Sequence, residues 1–339
     1  MLGEKEINNI REELKNCKNP LFFFHDDPDG LCSFLLLYRY IKEGSGVVVK
    51  AKPTLDKRFI SKVHEYSPDK VFIVDVPIVD QEFIDEAKTK VVWIDHHEPL
   101  ERDNVLYFNP RIKNKSDGIP ATRICYEVTK QDLWIAAVGC IGDWHIPDFF
   151  QEFKDRYALV DDANDVGKIY FTSKLGLLVR IFSYILKGNT NDANKCFKIL
   201  TRIEDPNEIL EQTTSRGKFI YKRYEQISEK YQELIMEALK HVTKDELVVY
   251  IYEENKMSFN SDLANELIYR FPDKIIIVGR ERKDEIRLSI RSTKKLLPPI
   301  LKKALVGLVG YGGGHEYACG ANIKKEDFKR FIENIREQI

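Results

Sequence analysis

The sequence lacks any apolar run long enough to cross a membrane. A transmembrane helix needs about 20 consecutive apolar residues, and charged residues, which make up 32% of the chain, interrupt every apolar stretch before that length. The first six residues, Met1 to Glu6, also lack the apolar core of a signal peptide. We therefore expect a cytoplasmic protein that makes no membrane contact.

An excess of charge of one sign is also missing. The 339 residues carry 53 Lys and Arg against 54 Asp and Glu, a formal net charge of −1. Any binding of nucleic acid must therefore rely on local basic patches. The six cysteines include no Cys-x-x-Cys pair, and several lie in apolar stretches. We expect them to be buried free thiols, as is usual in a reducing compartment.

The sequence does contain short apolar runs that stop abruptly at a carboxylate or a histidine. Four runs, the last of them Ile135 to Ile141, lead into His25-Asp26-Asp27-Pro28-Asp29-Gly30, Asp75, Asp95-His96-His97 and Gly142-Asp143. Such runs are typical of strands buried in a parallel sheet, and ligands bind beyond the carboxyl ends of these strands. The pattern predicts four strand ends that bring the polar side chains to one edge of a sheet.

The order of elements favours an α/β fold in three parts. In residues 1–148, predicted strands near 21–25, 47–51, 71–75, 91–95 and 105–108 alternate with helices. That alternation predicts a doubly wound parallel sheet, which would form the catalytic domain. Residues 149–244 show helical spacing and almost no strand signal, so we predict a helical insert. Strands return in residues 245–339, which we predict to be a smaller α/β domain that binds substrate.

The residue types at the predicted edge suit a pair of divalent cations. Mn²⁺ and Mg²⁺ prefer oxygen ligands, and Mn²⁺ also accepts imidazole. Two ions about 3.5–4 Å apart need a bridging carboxylate and activate a water between them. His25, Asp27 and Asp29 follow an i, i+2, i+4 spacing, which points all three side chains to one side of an extended turn. Asp75 stands alone at the end of its predicted strand and suits the bridging position.

Other motifs with similar residues fit less well. A haloacid-type phosphatase needs Thr or Val two residues after its second Asp, where this chain has Leu31. An EF-hand would need a ladder of ligands after Asp27 and a Glu at the twelfth position. A dinucleotide-binding glycine motif fails because His315 occupies the place of its last glycine.

The combination and order of the four motifs resembles the DHH phosphoesterase superfamily, named for the triplet that Asp95-His96-His97 matches. The segment Gly312 to Gly320 resembles the Gly-Gly-His motif of the DHH-associated C-terminal domain. The resemblance covers roughly residues 20–145 and 245–339. The short spacing from His25 to Asp27 is more similar to RecJ-type nucleases, especially archaeal ones, than to nanoribonuclease-like members.

The resemblance implies two metal sites that share one carboxylate. The first metal ion would be held by His25, Asp27 and Asp75. The second would be held by Asp29, Asp75, His96 and Asp143. Asp95 would orient a ligand imidazole, and His97 would face the substrate phosphate or assist the leaving group. Of the two metals, the histidine ligands favour Mn²⁺ over Mg²⁺.

The resemblance also implies phosphate-binding residues in the C-terminal domain. Gly313, Gly314 and His315 would clamp a phosphate through backbone N–H groups and an imidazole. Arg291 and Ser292 resemble a pair that grips a nucleotide phosphate in that domain.

From this resemblance we expect an exonuclease that releases mononucleotides from the end of single-stranded DNA or RNA. Three alternatives stay open: a phosphoesterase for short oligonucleotides, one for cyclic dinucleotides or 3′-phosphoadenosine 5′-phosphate, and a replication-complex scaffold. The basic and aromatic residues of 215–224 suit contact with a single strand as well as an amphipathic helix face. The helical insert is the expected surface for a replication or repair partner.

Overall fold

The computed structural model describes residues 1–50, 54–161 and 163–339. The chain forms two compact units, Met1–Glu225 and Gln226–Ile339. In the described ranges no helix combines the length and the apolar character that a membrane span requires. The division into 1–148, 149–244 and 245–339 stays a prediction, and residue 51 of the predicted strand 47–51 lies outside the described ranges.

The first unit is built on a parallel sheet. Its strands are β1 (Pro20–His25), β2 (Ser45–Val49), β3 (Thr54–Leu55), β4 (Lys70–Val74), β5 (Ile78–Val79), β6 (Lys90–Ile94) and β7 (Val105–Phe108). In the described part of the chain, five of them form one sheet in the order β2-β1-β4-β6-β7, and β3 pairs with β5 in parallel. The order reverses between β1 and β4, so the crevice beyond these two strand ends is the topological switch point where such sheets bind ligands.

Helices cover both faces of this sheet. The helices of the first unit are α1 (Glu4–Lys15), α2 (Pro28–Ile41), α3 (Ile60–Tyr66), α4 (Gln81–Ala87), α5 (Ala121–Thr129), α6 (Leu133–Gly142), α7 (Phe150–Tyr157), α8 (Val166–Thr172), α9 (Lys174–Ile185), α10 (Thr190–Leu200), α11 (Asn207–Leu210) and the start of α12 (Ser215–Leu239), which continues into the second unit. The doubly wound α/β architecture predicted from the alternation is confirmed.

The alternating side chains of β1 show how the sheet is buried. Phe22 and Phe24 belong to one apolar cluster, which also contains residues from α2, α6, α9 and α10. Phe23 points to the opposite face and packs in a second cluster with Phe83 of α4. Because successive side chains of a strand point to opposite faces, a run of consecutive phenylalanines is buried only when both faces are covered.

The prediction of a strand from Ile135 to Ile141 is wrong. These residues lie in α6, and every residue from Leu133 to Ile141 is buried. A helix that is apolar on all sides has no 3.6-residue periodicity, so a short apolar run of this kind does not distinguish a strand from a helix. Asp143 consequently follows the C-terminal end of a helix, while the other three predicted strand ends are confirmed.

Two glycines allow α6 to approach its neighbours closely. A Cβ atom on Gly142 would lie 2.6 Å from the Cβ of Pro28, and one on Gly139 would lie 2.2 Å from Oγ1 of Thr122. Both distances are shorter than van der Waals contact, so these positions require glycine. The close packing brings the end of α6 next to the start of α2.

The second unit contains a mixed sheet and three helices that pack on it. Its elements are β8 (Leu247–Tyr252), α13 (Asn260–Arg270), β9 (Ile275–Arg282), β10 (Glu285–Ser292), α14 (Leu297–Ala304), β11 (Gly310–His315), β12 (Ala318–Lys324) and α15 (Phe328–Arg336). In the described residues the strand order is β11-β12-β10-β9-β8, antiparallel except for β8 and β9. The expectation of a second, smaller α/β unit is confirmed.

The six cysteines are free and buried, as the sequence predicted. Burial raises the pKa of Cys17 to about 12 and that of Cys196 to about 11. The thiols are therefore core residues with little thiolate character near neutral pH.

We predict that Gly139→Ala lowers the free energy of unfolding, although alanine favours a helix over glycine by about 1 kcal/mol. The added methyl group must displace Thr122 or Cys32 in a packed core, and such overpacking costs about 1–3 kcal/mol. Urea denaturation monitored by circular dichroism measures the change. Gly118→Ala is the matched control, because its Cβ would meet no atom within 4 Å. An increase in stability for Gly139→Ala would contradict the packing argument.

Candidate metal centre

The turn after β1 carries three of the predicted ligands. His25 is the last residue of β1, and Asp27 is the N-cap of α2. One oxygen of Asp27, Oδ1, accepts a hydrogen bond of 2.9 Å from the backbone N–H of Gly30. The other, Oδ2, lies 2.6 Å from Nδ1 of His25. Asp27 therefore caps a helix with one oxygen and presents the other to the centre.

Asp29 lies in the first turn of α2 and is held by the start of another helix. Its Oδ2 accepts from the backbone N–H of Ala121 at 3.0 Å, and its Oδ1 accepts from that of Thr122 at 2.7 Å. The hydroxyl of Thr122 donates in turn to the carbonyl oxygen of Asp29 at 2.9 Å. The N-terminal end of α5 carries a partial positive charge, which stabilises the buried carboxylate.

Asp75 occupies the middle of the centre. It directly follows β4, is 1% exposed and has a left-handed backbone with φ of 57°. Its Oδ1 lies 3.3 Å from Nε2 of His96, and its Oδ2 lies 3.6 Å from Nδ1 of His25. The two oxygens therefore face two different histidines, the arrangement that a bridging carboxylate needs.

The triplet after β6 divides its side chains between two directions. Nε2 of His96 lies 3.6 Å from Oδ2 of Asp29, and its Nδ1 lies 3.8 Å from Oδ2 of Asp143. Asp95 is fully buried, and its Oδ1 lies 2.8 Å from Nδ1 of His97. The imidazole that Asp95 orients is thus that of His97 rather than that of His96.

Asp143 is the C-cap of α6. The C-terminal end of a helix carries a partial negative charge, so a carboxylate there is unfavourable unless a cation is near. The close packing of Gly142 on Pro28 brings this carboxylate to the turn that carries Asp27 and Asp29.

The predicted metal ligands come together in the folded chain. Among the described residues, three sets have ligand atoms within 4.8 Å of one another: His25 with Asp27 and Asp75, Asp29 with His96 and Asp143, and Asp75 with His96 and His97. The first two sets correspond to the two predicted metal sites, and Asp75 stands between them. Whether these residues bind a metal stays a prediction.

Burial and mutual repulsion shift the pKa values of the carboxylates. Burial raises the pKa of Asp75 well above its ordinary value, and the charges of Asp27 and Asp29 raise it further. Desolvation by the surrounding protein raises the pKa of Asp143 in the same way, with Asp29 adding to the effect. In Asp27, burial acts to raise the pKa, but the neighbouring His25 outweighs it and lowers the pKa below its ordinary value.

In the histidines, burial and the neighbouring carboxylates shift the pKa in opposite directions. Burial acts to lower the pKa of His25, yet Asp27 outweighs it and raises this pKa well above the ordinary value. The pKa of His96 is likewise raised against the effect of burial, by Asp29 and Asp143. The centre therefore retains protons, which divalent cations would displace.

One buried atom at the centre, Oδ2 of Asp75, has no hydrogen-bond partner in the described structure. Buried polar atoms are rarely left without a partner, and this oxygen lies 3.6 Å from Nδ1 of His25. An oxygen-rich set with two imidazoles has the donor chemistry that Mn²⁺ accepts. The residues present thus fit a divalent cation.

In the second unit, three predicted substrate residues share one face of the sheet. Arg291 of β10 and His315 of β11 both pair with Ala318 of β12, one from each side. Gly313 lies two residues before His315 and pairs with Gly320, so it belongs to the same face. Arg291 and His315 thus lie on the same face of the sheet as Gly313, which adds no side chain to that surface.

The other two residues lie on the opposite face. Gly314 pairs with Cys319, and Ser292 follows Arg291 in β10. The Ser292 hydroxyl oxygen accepts hydrogen bonds from the backbone N–H groups of Lys294 at 3.2 Å and Lys295 at 2.9 Å. Ser292 therefore caps the turn after β10.

Several residues of the centre escaped the sequence analysis. Ala121 and Thr122 act through backbone N–H groups, which any residue type supplies, although Pro120 just before them is a signal for a helix start. Asn109 is 2% exposed, and its amide donates to the carbonyl oxygen of His97 at 3.0 Å and to Oη of Tyr107 at 2.8 Å. The Asn-Pro pair after β7 marks a turn but does not reveal this contact.

Comparison with known proteins finds a matching family model in each of the two units. The DHH family N-terminal domain matches residues 21–142, and the DHHA1 domain matches residues 244–339. An uncharacterized protein of Methanocaldococcus jannaschii is 24% identical over 99% of this chain and 97% of its own length.

Several solved structures have a similar fold. RecJ of Thermus thermophilus, crystallised with Mn²⁺, is 14% identical and has a TM-score of 0.68 over 98% of this chain. The match covers 54% of that RecJ, so this chain spans about half of its length. The pGpG-specific phosphodiesterase PggH of Vibrio cholerae is 16% identical, with a TM-score of 0.52 over 95% of this chain and 98% of PggH.

We predict that Mn²⁺ raises the melting temperature and that Asp75→Asn abolishes most of this shift. At a concentration about a hundredfold above its Kd, a bound ligand stabilises by about 2.7 kcal/mol. Asparagine tolerates the left-handed backbone of this position. Without metal, the variant should melt at the same or a higher temperature than the wild type, because it loses one of several repelling carboxylates.

Differential scanning fluorimetry measures both effects. Asp80→Asn is the matched control, since Asp80 precedes α4 and its side chain makes no capping hydrogen bond. A full Mn²⁺ shift in Asp75→Asn would show that Asp75 holds no metal.

The difference in melting temperature between Mn²⁺-loaded and metal-free protein should widen from about pH 6 to about pH 8.5. Groups with a raised pKa bind protons more tightly in the folded state, so the stability they contribute is lost as pH rises through that pKa. Asp75, Asp143, His25 and His96 all belong to this class. The same deprotonation favours metal binding, so the metal-free protein weakens while Mn²⁺ binds more tightly. A difference that narrows over this range would contradict the assignment.

Proposed function

Because the chain belongs to the DHH phosphoesterase family, we propose that it is a divalent-metal-dependent exonuclease that cleaves the terminal phosphodiester of single-stranded DNA or RNA. The observation that carries the proposal is the position of Asp75, whose two oxygens face His25 and His96 in two adjoining ligand sets. Two ions held there would supply Lewis-acid charge and lower the pKa of a bound water.

In this proposal the ligand side chains define two adjoining sites at the switch point of the sheet. His25, Asp27 and Asp75 hold one cation, and Asp29, Asp75, His96 and Asp143 hold the other. The rigid backbone contacts of Asp27 and Asp29 fix the oxygens before a metal arrives, which reduces the cost of ordering them. The presence of two imidazoles supports Mn²⁺, with Mg²⁺ as the alternative.

His97 acts on the substrate. Its Nδ1 is engaged by Asp95, which leaves Nε2 free to meet a phosphate or a leaving oxygen. Burial acts to lower the pKa of His97, but Asp95 outweighs it and raises this pKa. An imidazole with a raised pKa is suited to donate its Nε2 proton to the oxygen that leaves.

The second unit contributes phosphate contacts in this proposal. Arg291 is largely enclosed, and its Nε donates to Oδ1 of Asn265 at 2.7 Å, which fixes the guanidinium. His315 lies across β12 from it on the same face. An arginine and a histidine beside a glycine floor are suited to bind a terminal phosphate with its ribose. Such binding favours action from strand ends.

A second candidate is a phosphodiesterase for dinucleotides or other small nucleotides. The fold similarity to a pGpG-specific enzyme over nearly the whole of both chains supports it. The two candidates differ in how activity depends on substrate length.

The deciding experiment is hydrolysis of single-stranded RNA and DNA, labelled at either end, in the presence of Mn²⁺. We expect a ladder of mononucleotide steps from one end, and a loss of at least about a hundredfold in Asp75→Asn. His97→Ala should lose activity to a similar degree, because general acid catalysis contributes about 10²–10⁴ in rate. It should nevertheless retain the Mn²⁺-dependent rise in melting temperature.

The pattern of products separates the candidates. Cleavage of dinucleotides with no action on longer strands would replace the exonuclease by the small-substrate enzyme. Mn²⁺-independent cleavage, or cleavage that persists in Asp75→Asn, would contradict both.

A further inference from the structure

A cavity of about 850 Å³ adjoins the triplet within the first unit. Its walls come from the residues that directly follow His97 and from the turn after β7. Three acidic and three basic side chains line it, and the lining residues that matter here are Glu98, Leu100, Tyr107, Arg111, Ile112 and Lys115. The volume lies in the range of about 300–1,000 Å³ in which proteins bind small molecules. None of the roles assigned above uses this cavity.

One buried amide connects the cavity to the catalytic triplet. The Nδ2 group of Asn109 donates to the His97 carbonyl oxygen at 3.0 Å and to Oη of Tyr107 at 2.8 Å. Its Oδ1 accepts from the backbone N–H of Arg111 at 2.9 Å. A single side chain that is 2% exposed thus links the backbone of His97 to the backbone of Arg111.

Part of the cavity wall is apolar. The ring of Tyr107 stacks on Trp93, with ring centroids 4.0 Å apart and planes 16° apart. Leu100 lies on the same wall, and Ile112 is 57% exposed at the cavity. Apolar side chains among placed charged groups are suited to hold a base or a ribose.

The ion pair of Arg111 and Glu98 in the cavity is open to competition from another anion. A guanidinium NH2 of Arg111 lies 3.2 Å from Oε2 of Glu98, whose side chain is 72% exposed. The Nε of Arg111 donates separately to the carbonyl oxygen of Lys115 at 3.0 Å. An exposed ion pair contributes little to stability, so an incoming phosphate can replace Glu98 while the backbone contact still holds the guanidinium.

We propose that this cavity binds the nucleotide next to the scissile phosphodiester. Arg111 takes the phosphate of that nucleotide in place of the Glu98 carboxylate, with Lys115 adding positive charge at the same wall. The ribose or base lies against Leu100 and Ile112. This assignment rests on the proposed function and adds a specificity site to it, because a substrate with a second phosphate gains a contact that a single phosphodiester lacks.

The test compares a trinucleotide with bis(p-nitrophenyl) phosphate, which has one phosphodiester and no second phosphate. Arg111→Gln should lower kcat/KM for the trinucleotide about tenfold more than for the small ester, since a hydrogen bond to a charged group is lost. Glu98→Gln should instead lower KM for the trinucleotide about two- to fivefold, because it removes the competing carboxylate. Arg58→Gln, an exposed arginine paired with Asp56, is the matched control and should behave as wild type.

Equal losses on both substrates in Arg111→Gln, or a higher KM in Glu98→Gln, would overturn the assignment. Fluorescence anisotropy of a labelled trinucleotide with Ca²⁺ separates it from the proposed function. If the wild type hydrolyses nothing but binds the trinucleotide more tightly than Arg111→Gln does, the binding role of the cavity holds and the proposed enzymatic function is rejected. Equal binding by both proteins would reject the cavity whether or not the wild type hydrolyses. No binding and no hydrolysis by the wild type would reject both.

Discussion

Four carboxylates, those of Asp27, Asp29, Asp75 and Asp143, are held next to one another beyond the strand ends of the first unit. Oxygens in the ligand sets lie within 4.8 Å of their neighbours. At that distance and at an effective dielectric constant of about 20, two unit charges repel by roughly 3–4 kcal/mol. A folded chain of ordinary stability cannot tolerate several such pairs without nearby positive charge or retained protons. The surrounding structure supplies both.

The compensation comes from elements that are distant in the sequence. The start of α5 donates two backbone N–H groups to Asp29 across 92 and 93 positions of the chain. His25 and His96 lie between the carboxylates and are driven toward the charged form. Asp143 opposes this trend, because it adds a carboxylate to the negative end of α6. A chain that only stabilised itself would gain by losing Asp143, and the proposed cation would balance the charge of this carboxylate.

The local signals in the sequence predicted much of this arrangement. An apolar run that ends at Asp75 or Asp95 identifies a buried strand and the residue at which it ends, because burial and the polar stop are both local properties. The sequence did not predict the register of β10, β11 and β12 or which side chains share a face of that sheet. This arrangement puts Gly313 and Gly314 on opposite faces.

Other features depend on tertiary packing and leave no mark on residue type. The apolar run before Asp143 is compatible with a strand or a helix. Its helical structure depends on tertiary packing, which includes the contacts with Pro28 and Thr122. The backbone donors of Ala121 and Thr122 could belong to any residue. Asn109 is recognisable as a turn former, yet its contact with His97 depends on how β6 and β7 lie side by side in the folded sheet.

The burial of all six thiols has a practical consequence for studying this protein. Maleimides and similar reagents attack exposed thiolates, and the native cysteines are buried, which suppresses their ionisation. A cysteine introduced on the surface would therefore react far faster than any native one. Fluorophores placed in this way, one on each unit, would report changes in their separation by energy transfer without first removing a single native cysteine.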